Sequence, residues 1–222
     1  MSGATSWAAS LRWLQEELSD GDVLGIPWSR TIAAMVRSLT WLPRVEVVQL
    51  CGAQPTAVGD PSAVEVVVEA ARLAGTRGHV FYAPQIVDDA PAARALLRQS
   101  QVRDALEACR LVTTAVVGLG TWAPGTSTIY DQCTPADRAE VSSVGAVGEL
   151  AGIFFDAQGR IVYPQLAQPL VTVSARDLQA IPDLTAVVSG VDKLEAVRAA
   201  LAGQLVHGLI VDTPLARALL EH

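Results

Sequence analysis

Short apolar runs alternating with helix-length segments set the limits on what this chain can fold into. The runs are Val23 to Ile26, Val45 to Leu50, His79 to Tyr82, Leu111 to Val117, Thr185 to Val188 and Leu209 to Val211. All but Leu111 to Val117, which runs into Gly118-Leu119-Gly120, are followed by a segment of helical spacing: Ser29 to Leu39, a stretch from Asp60-Pro61 to about Leu73, Ala90 to Leu97 with Gln101 to Cys109, Asp192 to Leu201, and Thr213 to Leu220. Strands this short, apolar at successive positions, belong inside a parallel sheet with helices on both faces. The middle breaks the alternation. Gly145 to Leu150 and Ile153 to Phe155 precede an Asp156-Ala157-Gln158-Gly159 turn, and Arg160 to Tyr163 is expected to return as a strand. This reads as a small antiparallel excursion before Leu170 to Val173 resumes the sheet and Ala175 to Ala180 forms a short helix.

The 222 residues suit one domain, residues 21–222, preceded by a connector helix within residues 1–20. Half the chain is hydrophobic and mean hydropathy is +0.33, which excludes disorder as the dominant state. No apolar run approaches the ~18 residues of a membrane span. The 16 basic and 23 acidic side chains leave a net charge of −7, and Lys193 is the single lysine. A nucleic-acid grip through a basic patch is therefore not expected of this segment. Cys51, Cys109 and Cys133 are scattered without metal spacing, which fits reduced thiols in a cytoplasmic protein. MSGATSWAAS has no basic region ahead of an apolar core, so no leader is expected.

In such sheets ligands collect where strands run into helices at their carboxyl ends. Two of those loops carry unusual residues. In Gly25-Ile26-Pro27-Trp28-Ser29-Arg30-Thr31, a helix N-terminus with Ser29, Arg30 and Thr31 could hold an anion; equally, Ser29 could simply cap the helix and Arg30 be solvated. In Ser189-Gly190-Val191-Asp192-Lys193, Lys193 sits at the end of a helix where the dipole disfavours a cation. A bound anion would explain it, as would pairing with Asp192 or Glu195. Gly118-Leu119-Gly120 lacks the rest of a dinucleotide fingerprint. Glu149, a charge inside an apolar run, could hydrogen-bond to backbone or to sugar hydroxyls, or serve as a base. His79, His207 and Asp212 read as structural.

Taken in order, these residues resemble the effector-binding domain of SorC-family sugar-responsive transcriptional regulators. The stretches that carry the resemblance are Asp22 to Gly25 with Trp28-Ser29-Arg30-Thr31, Val47 to Leu50 with Gly52, and Tyr82-Ala83-Pro84. Gly118 to Gly120, Gly145 to Asp156 with Gly159, Gly190 with Lys193, and Leu209 to Thr213 with Ala216 complete the series. The resemblance implies a Rossmann-like fold similar to the ribose-5-phosphate isomerase, glucosamine-6-phosphate deaminase and CoA transferase-like group. It implies a sugar phosphate as ligand, with Ser29, Arg30, Thr31 and Lys193 at the phosphate and Gly52, Ala53, Gln54, Gly120 and Glu149 nearer the sugar. It also implies a homo-oligomer, dimer or tetramer, and DNA contact only through a helix-turn-helix domain for which residues 1–20 leave no room. It implies no cofactor, metal or catalytic residue. A sugar-phosphate isomerase or deaminase on the same fold is the alternative, with Glu149 as base. Ser29, Ala53, Glu149 and Ser189 depart from the family's usual glycine, glycine, aspartate and glycine, and Cys51 stands where a polar residue is common.

Overall fold

The computed structural model describes residues 12–56 and 60–221. Its main sheet holds β3 (Gly78–His79), β2 (Glu46–Gln49), β1 (Val23–Ile26), β4 (Thr114–Thr121), β7 (Asp183–Val188) and β8 (Gly208–Val211), side by side in that order and all parallel. Successive side chains on a strand point to opposite faces, and here both faces are covered. Val47, Val116 and Val187 enter one core with Leu14 and Leu18, Met35 of α2 (Arg30–Ser38) and Val66 of α3 (Ala63–Ala74). Their neighbours Val48, Ala115, Val117, Ala186 and Val188 enter the other. There they meet Leu178 of α8 (Ala175–Gln179), Val197 of α9 (Leu194–Ala202) and Leu215 of α10 (Thr213–Leu220). Helix α1, residues 12–17, precedes β1; residues 1–11, over which the connector helix was expected to begin, lie outside the described residues. Helices α4 (Ala90–Leu97) and α5 (Ser100–Glu107) close a smaller core around Phe81 and Val171.

Strand β4 serves two sheets. Thr114 to Gly118 pair with β7, and Thr114 and Ala115 also with β1. Leu119, Gly120 and Thr121 pair antiparallel with β5 (Ala146–Leu150), which turns into β6 (Ile153–Asp156). The turn residues Ala151 and Gly152 both have positive φ, 51° and 87°, the backbone that suits a tight two-residue hairpin. Helices α6 (Thr128–Gln132) and α7 (Pro135–Ser143) cover this hairpin through Ile129, Cys133 and Val141. Trp122 meets Phe154 edge-on at 5.4 Å.

Several elements differ from the sequence reading. Leu170 to Val173 does not resume the sheet. Its hydrogen bonds run to the loops after β2 and β3: Gly52 N donates to Val171 O, Val173 N to Leu50 O and Val171 N to Gln85 O. The segment thus stitches strand ends together. Arg160 to Tyr163 contributes one isolated bridge, Phe155 to Ile161, because Arg160 folds back onto Asp156 (Nε to Oδ2, 2.8 Å). The third strand stops at His79. Helix α3 starts after Ser62 rather than Asp60, since Ser62 and Glu65 form a reciprocal capping box. The segment after Gly120 contains α6, too short for its periodicity to be read.

Gly159 anchors the turn after β6 against the end of α9. Its φ is +72°, and a Cβ there would lie 2.2 Å from Ala199 O. Gly145 has a similar φ of +80° with nothing within 4 Å. Gly145→Ala is expected to cost only the left-handed backbone penalty, about 1–2 kcal/mol. Gly159→Ala should cost about 2 kcal/mol more, because the turn must lift off the helix. Urea unfolding of both variants checks this; equal losses would contradict the packing role.

Candidate functional site

The strand order reverses direction between β1 and β4: the chain leaves β1 toward β2 on one side and β4 toward β7 on the other. Loops leaving two such neighbours diverge and open a crevice. Here Ser29, Arg30, Thr31, Gln54, Gly120, Glu149 and Lys193 line one cleft of about 490 Å³ including its open mouth.

One wall comes from β1. Trp28 pins its loop: the indole donates to Pro61 O (2.8 Å) and the backbone N–H to Cys51 Sγ (3.3 Å). Burial pushes the Cys51 thiol up to about 12, so it stays a neutral packing group. Ser29 has extended backbone and caps α2, its Oγ accepting from Ile32 N at 3.1 Å. The first turn of α2 carries no acidic residue, so its exposed N–H groups and partial positive charge have no carboxylate of their own helix. Ser29 lies directly over Gly118, where a Cβ would stand 2.7 Å from its Oγ. Arg30 donates to Gly125 O (2.7 Å), which carries its guanidinium across the mouth toward the loop after β4.

The opposite wall comes from β7. Asp212 accepts from Ser189 Oγ (2.7 Å) and Gly190 N (2.9 Å) while capping α10 through Leu215 N (2.9 Å). Burial opposes its ionisation, but these hydrogen bonds outweigh burial and hold the carboxyl below its ordinary value of 3.8. Asp212 is thus a structural cap that also fixes the loop delivering Lys193. Lys193 donates to Leu119 O (3.2 Å) on the cleft floor. Burial lowers its pKa, Asp192 and Glu149 resist, and the facing charge of Arg30 lowers it further.

Gly120 makes room for the acidic end. Glu149 pairs with it across β5, and a Cβ on Gly120 would stand 2.2 Å from Glu149 Oε1. Glu149 is 7% exposed. Its Oε1 accepts from Ser127 Oγ (3.1 Å) and its Oε2 from Gly152 N (3.0 Å). Burial pushes its pKa up, against the pull of those two donors and of Lys193. Gly118 and Gly120 lie two residues apart on β4, about 7 Å along the strand, with Ser29 packed over the first and Glu149 over the second. The cleft therefore carries cations beside a carboxyl, with Lys193 feeling the charge of both Arg30 and Glu149.

Gly52 and Ala53 do not line the cleft. A Cβ on Gly52 would meet the backbone of Pro84 and Gln85 at 2.7 Å, and Ala53 is tied to Ala83 O (2.8 Å) and Gln85 N (2.7 Å). They close the end of β2 so that the next residue, Gln54, reaches the site. Sequence reasoning missed Ser127, Thr128 and Gln85, which do line it. The hydroxyl run Thr126-Ser127-Thr128 just after Gly120 was a readable signal for the first two. Gln85, a single amide after Pro84, offered none. Gln54 Nε2 donates to Gln85 Oε1, and Gln132 Nε2 donates to Gln54 Oε1 (2.9 Å) and to Thr128 O (2.9 Å). Among the described residues no cluster of His, Cys, Asp or Glu could hold a metal, and no helix is long and apolar enough to cross a membrane.

The family described as "Putative sugar-binding domain" matches residues 4–221. The transcriptional regulator LsrR of Klebsiella pneumoniae is 32% identical over 145 residues, 64% of this chain and 45% of that protein. The erythritol catabolism regulatory protein EryD of Brucella abortus is 27% identical over 221 residues, 96% of this chain and 68% of that protein. The chain thus spans under half the length of the LsrR protein it matches. The full-length sorbitol operon regulator SorC from Klebsiella pneumoniae superposes with a TM-score of 0.89 at 16% identity, covering 97% of this chain and 71% of that one, which shows the shared fold.

A carboxyl raised by burial is a stability cost once ionised. The folded protein then holds its proton more tightly than the unfolded chain, so stability falls as pH rises from the ordinary value of 4.5 through the raised folded value. Glu149→Gln keeps the shape and cannot ionise; its amide oxygen can accept from Gly152 N and its amide nitrogen donate to Ser127 Oγ, reversing that one bond, and it should raise Tm at pH 8. The gain should shrink toward zero below pH 4.5. Thermal melts at both pH values check this; a lower Tm at pH 8 would contradict it.

Proposed function

The chain belongs to the sugar-binding-domain family of SorC-type transcriptional regulators, and from that premise we propose that its cleft binds a phosphorylated sugar whose presence controls the regulator's DNA binding. The observation that carries the reading is that Arg30 and Lys193, 163 residues apart in sequence, line one cleft together with the N-terminus of α2. Two cations drawn together and a helix N-terminus without an acidic first turn are a costly arrangement in the free protein. A phosphate dianion between them repays the repulsion with charge-assisted hydrogen bonds. The sugar then extends along the Gly118–Gly120 floor toward Glu149.

Such a ligand bridges the β1–α2 wall and the β7–α9 wall. It favours whichever arrangement of the two walls lets both cations reach it, and that differential affinity is what a sensor needs. The regulator acts as a homo-oligomer, with α1 as the connector that carries the change. DNA contact is assigned to a helix-turn-helix domain of the whole regulator, in keeping with the net charge of −7 on this segment. The alternative, a sugar-phosphate isomerase or deaminase, needs a second proton-transfer group beside the sugar. Glu149 is the only carboxyl lining the cleft among the described residues, no histidine lines it, the remaining proton-transfer group, Lys193, is assigned to the phosphate, and relatives along the chain are named as regulators.

Arg30→Ala and Lys193→Ala should each weaken a sugar phosphate by about tenfold to a hundredfold, the worth of one charge-assisted hydrogen bond. Affinity for the unphosphorylated sugar should stay within about twofold. Calorimetric titration of both ligands, with product analysis after prolonged incubation, is the test. Equal losses for the two ligands contradict the phosphate role, and turnover abolished by Glu149→Gln would favour the enzyme.

A further inference from the structure

Gln54 and Gln85, which line the cleft, and Gln132, outside it, form a relay with a fixed direction. Thr128 O is a backbone carbonyl and can only accept, so it holds Gln132 Nε2 toward itself at 2.9 Å. The same nitrogen donates to Gln54 Oε1 (2.9 Å). That turns Gln54 Nε2 toward Gln85, whose Oε1 accepts from it. Of the two cleft-lining amides, the group left over is Gln85 Nε2, which donates to no protein acceptor among the described residues, while Gln132 Oε1 belongs to an exposed residue. Gln54 and Gln85 are 7% and 1% exposed, yet both line the cleft. Gln85 Nε2 lies beside Gly152, 3.3 Å from where a Cβ would stand, and Gly152 N–H donates to Glu149 Oε2. A directed donor and a carboxyl acceptor thus share the turn at Gly152.

We propose that Gln85, with its polarity set by Gln132 through Gln54, is the residue that selects the carbonyl or ring-oxygen end of the ligand beside a hydroxyl held by Glu149. This rests on the sugar-phosphate reading and deepens it: the preferred ligand class is a phosphorylated aldose or ketose, in which an acceptor oxygen neighbours a hydroxyl. Gln132 lies on the exposed face of α6 and does not line the cleft, so it is a positioning residue. Replacing its donor by an acceptor reverses the relay. In Gln132→Glu, Gln54 turns its nitrogen outward, Gln85 donates to Gln54, and Gln85 Oε1 faces the ligand. A hydroxyl can satisfy either polarity, whereas a carbonyl or ring oxygen can satisfy only the donor.

The test is calorimetric binding of tetrose, pentose and hexose phosphates, each paired with its alditol phosphate, with inorganic phosphate and the free sugars as references. In Gln132→Glu the sugar phosphate should lose about tenfold relative to its alditol phosphate, the scale of one mispaired polar group. The ratio cancels any uniform effect of the added charge. Gln85→Leu should weaken the sugar phosphate about tenfold or more while inorganic phosphate stays within about twofold. An unchanged ratio in Gln132→Glu, or inorganic phosphate weakened in Gln85→Leu as much as the sugar phosphate, overturns the relay alone. If the wild-type protein binds no phosphorylated probe better than its free sugar, the sugar-phosphate reading fails first and the relay falls with it.

Discussion

Strand β4 has to belong to two sheets at once, and the rest of the site follows from how it does so. Its first residues are fixed by parallel partners on both sides, and its last three must pair antiparallel with β5. The strand changes partners across Gly118-Leu119-Gly120. Side chains at 118 and 120 would occupy the space that Ser29 and Glu149 take. The absence of Cβ atoms there lets the start of α2 and the middle of β5 close onto the same strand from two directions. The floor of the cleft is therefore bare backbone, and Leu119 O is free to hold Lys193.

The electrostatics of the cleft are unsatisfied in a graded way. Lys193 is disfavoured by its own burial and by Arg30, and is supported by Asp192 and Glu149. Glu149 is disfavoured by burial and supported by Ser127, Gly152 and Lys193. Neither partner compensates the other fully. Perturbed groups gathered in one cleft are the pattern expected of a binding site. The structural anchors, Trp28 on Pro61 and Asp212 on the loop after β7, are fully engaged elsewhere and hold the two walls in place.

Much of this was legible in the residues. Strand β1 and helix α2 with its Ser29 cap follow from local pattern, because each depends on neighbours in sequence. Lys193 at the wrong end of a helix and Glu149 in an apolar run were conspicuous because each breaks a local rule, and both line the cleft. The failures are equally physical. Leu170 to Val173 has the composition of a strand, but its partners are strand-end loops, a matter of tertiary placement that apolarity does not encode. Gly52 and Ala53 looked like a ligand approach and instead make room for the backbone of residues 83–85. Gln85 gave no signal because its side-chain contacts come from Gln54, 31 positions earlier, and through it from Gln132.

The central claim is that one anion bridges the two walls of the cleft. A crystal structure of the protein soaked with a sugar phosphate tests it most directly. The account predicts phosphate oxygens within hydrogen-bond distance of the Arg30 guanidinium, Lys193 Nζ and the first N–H groups of α2, with the sugar lying over Gly118–Gly120 toward Glu149. A phosphate bound outside the β1–β4 crevice, or one that contacts only one of the two cations, would contradict it.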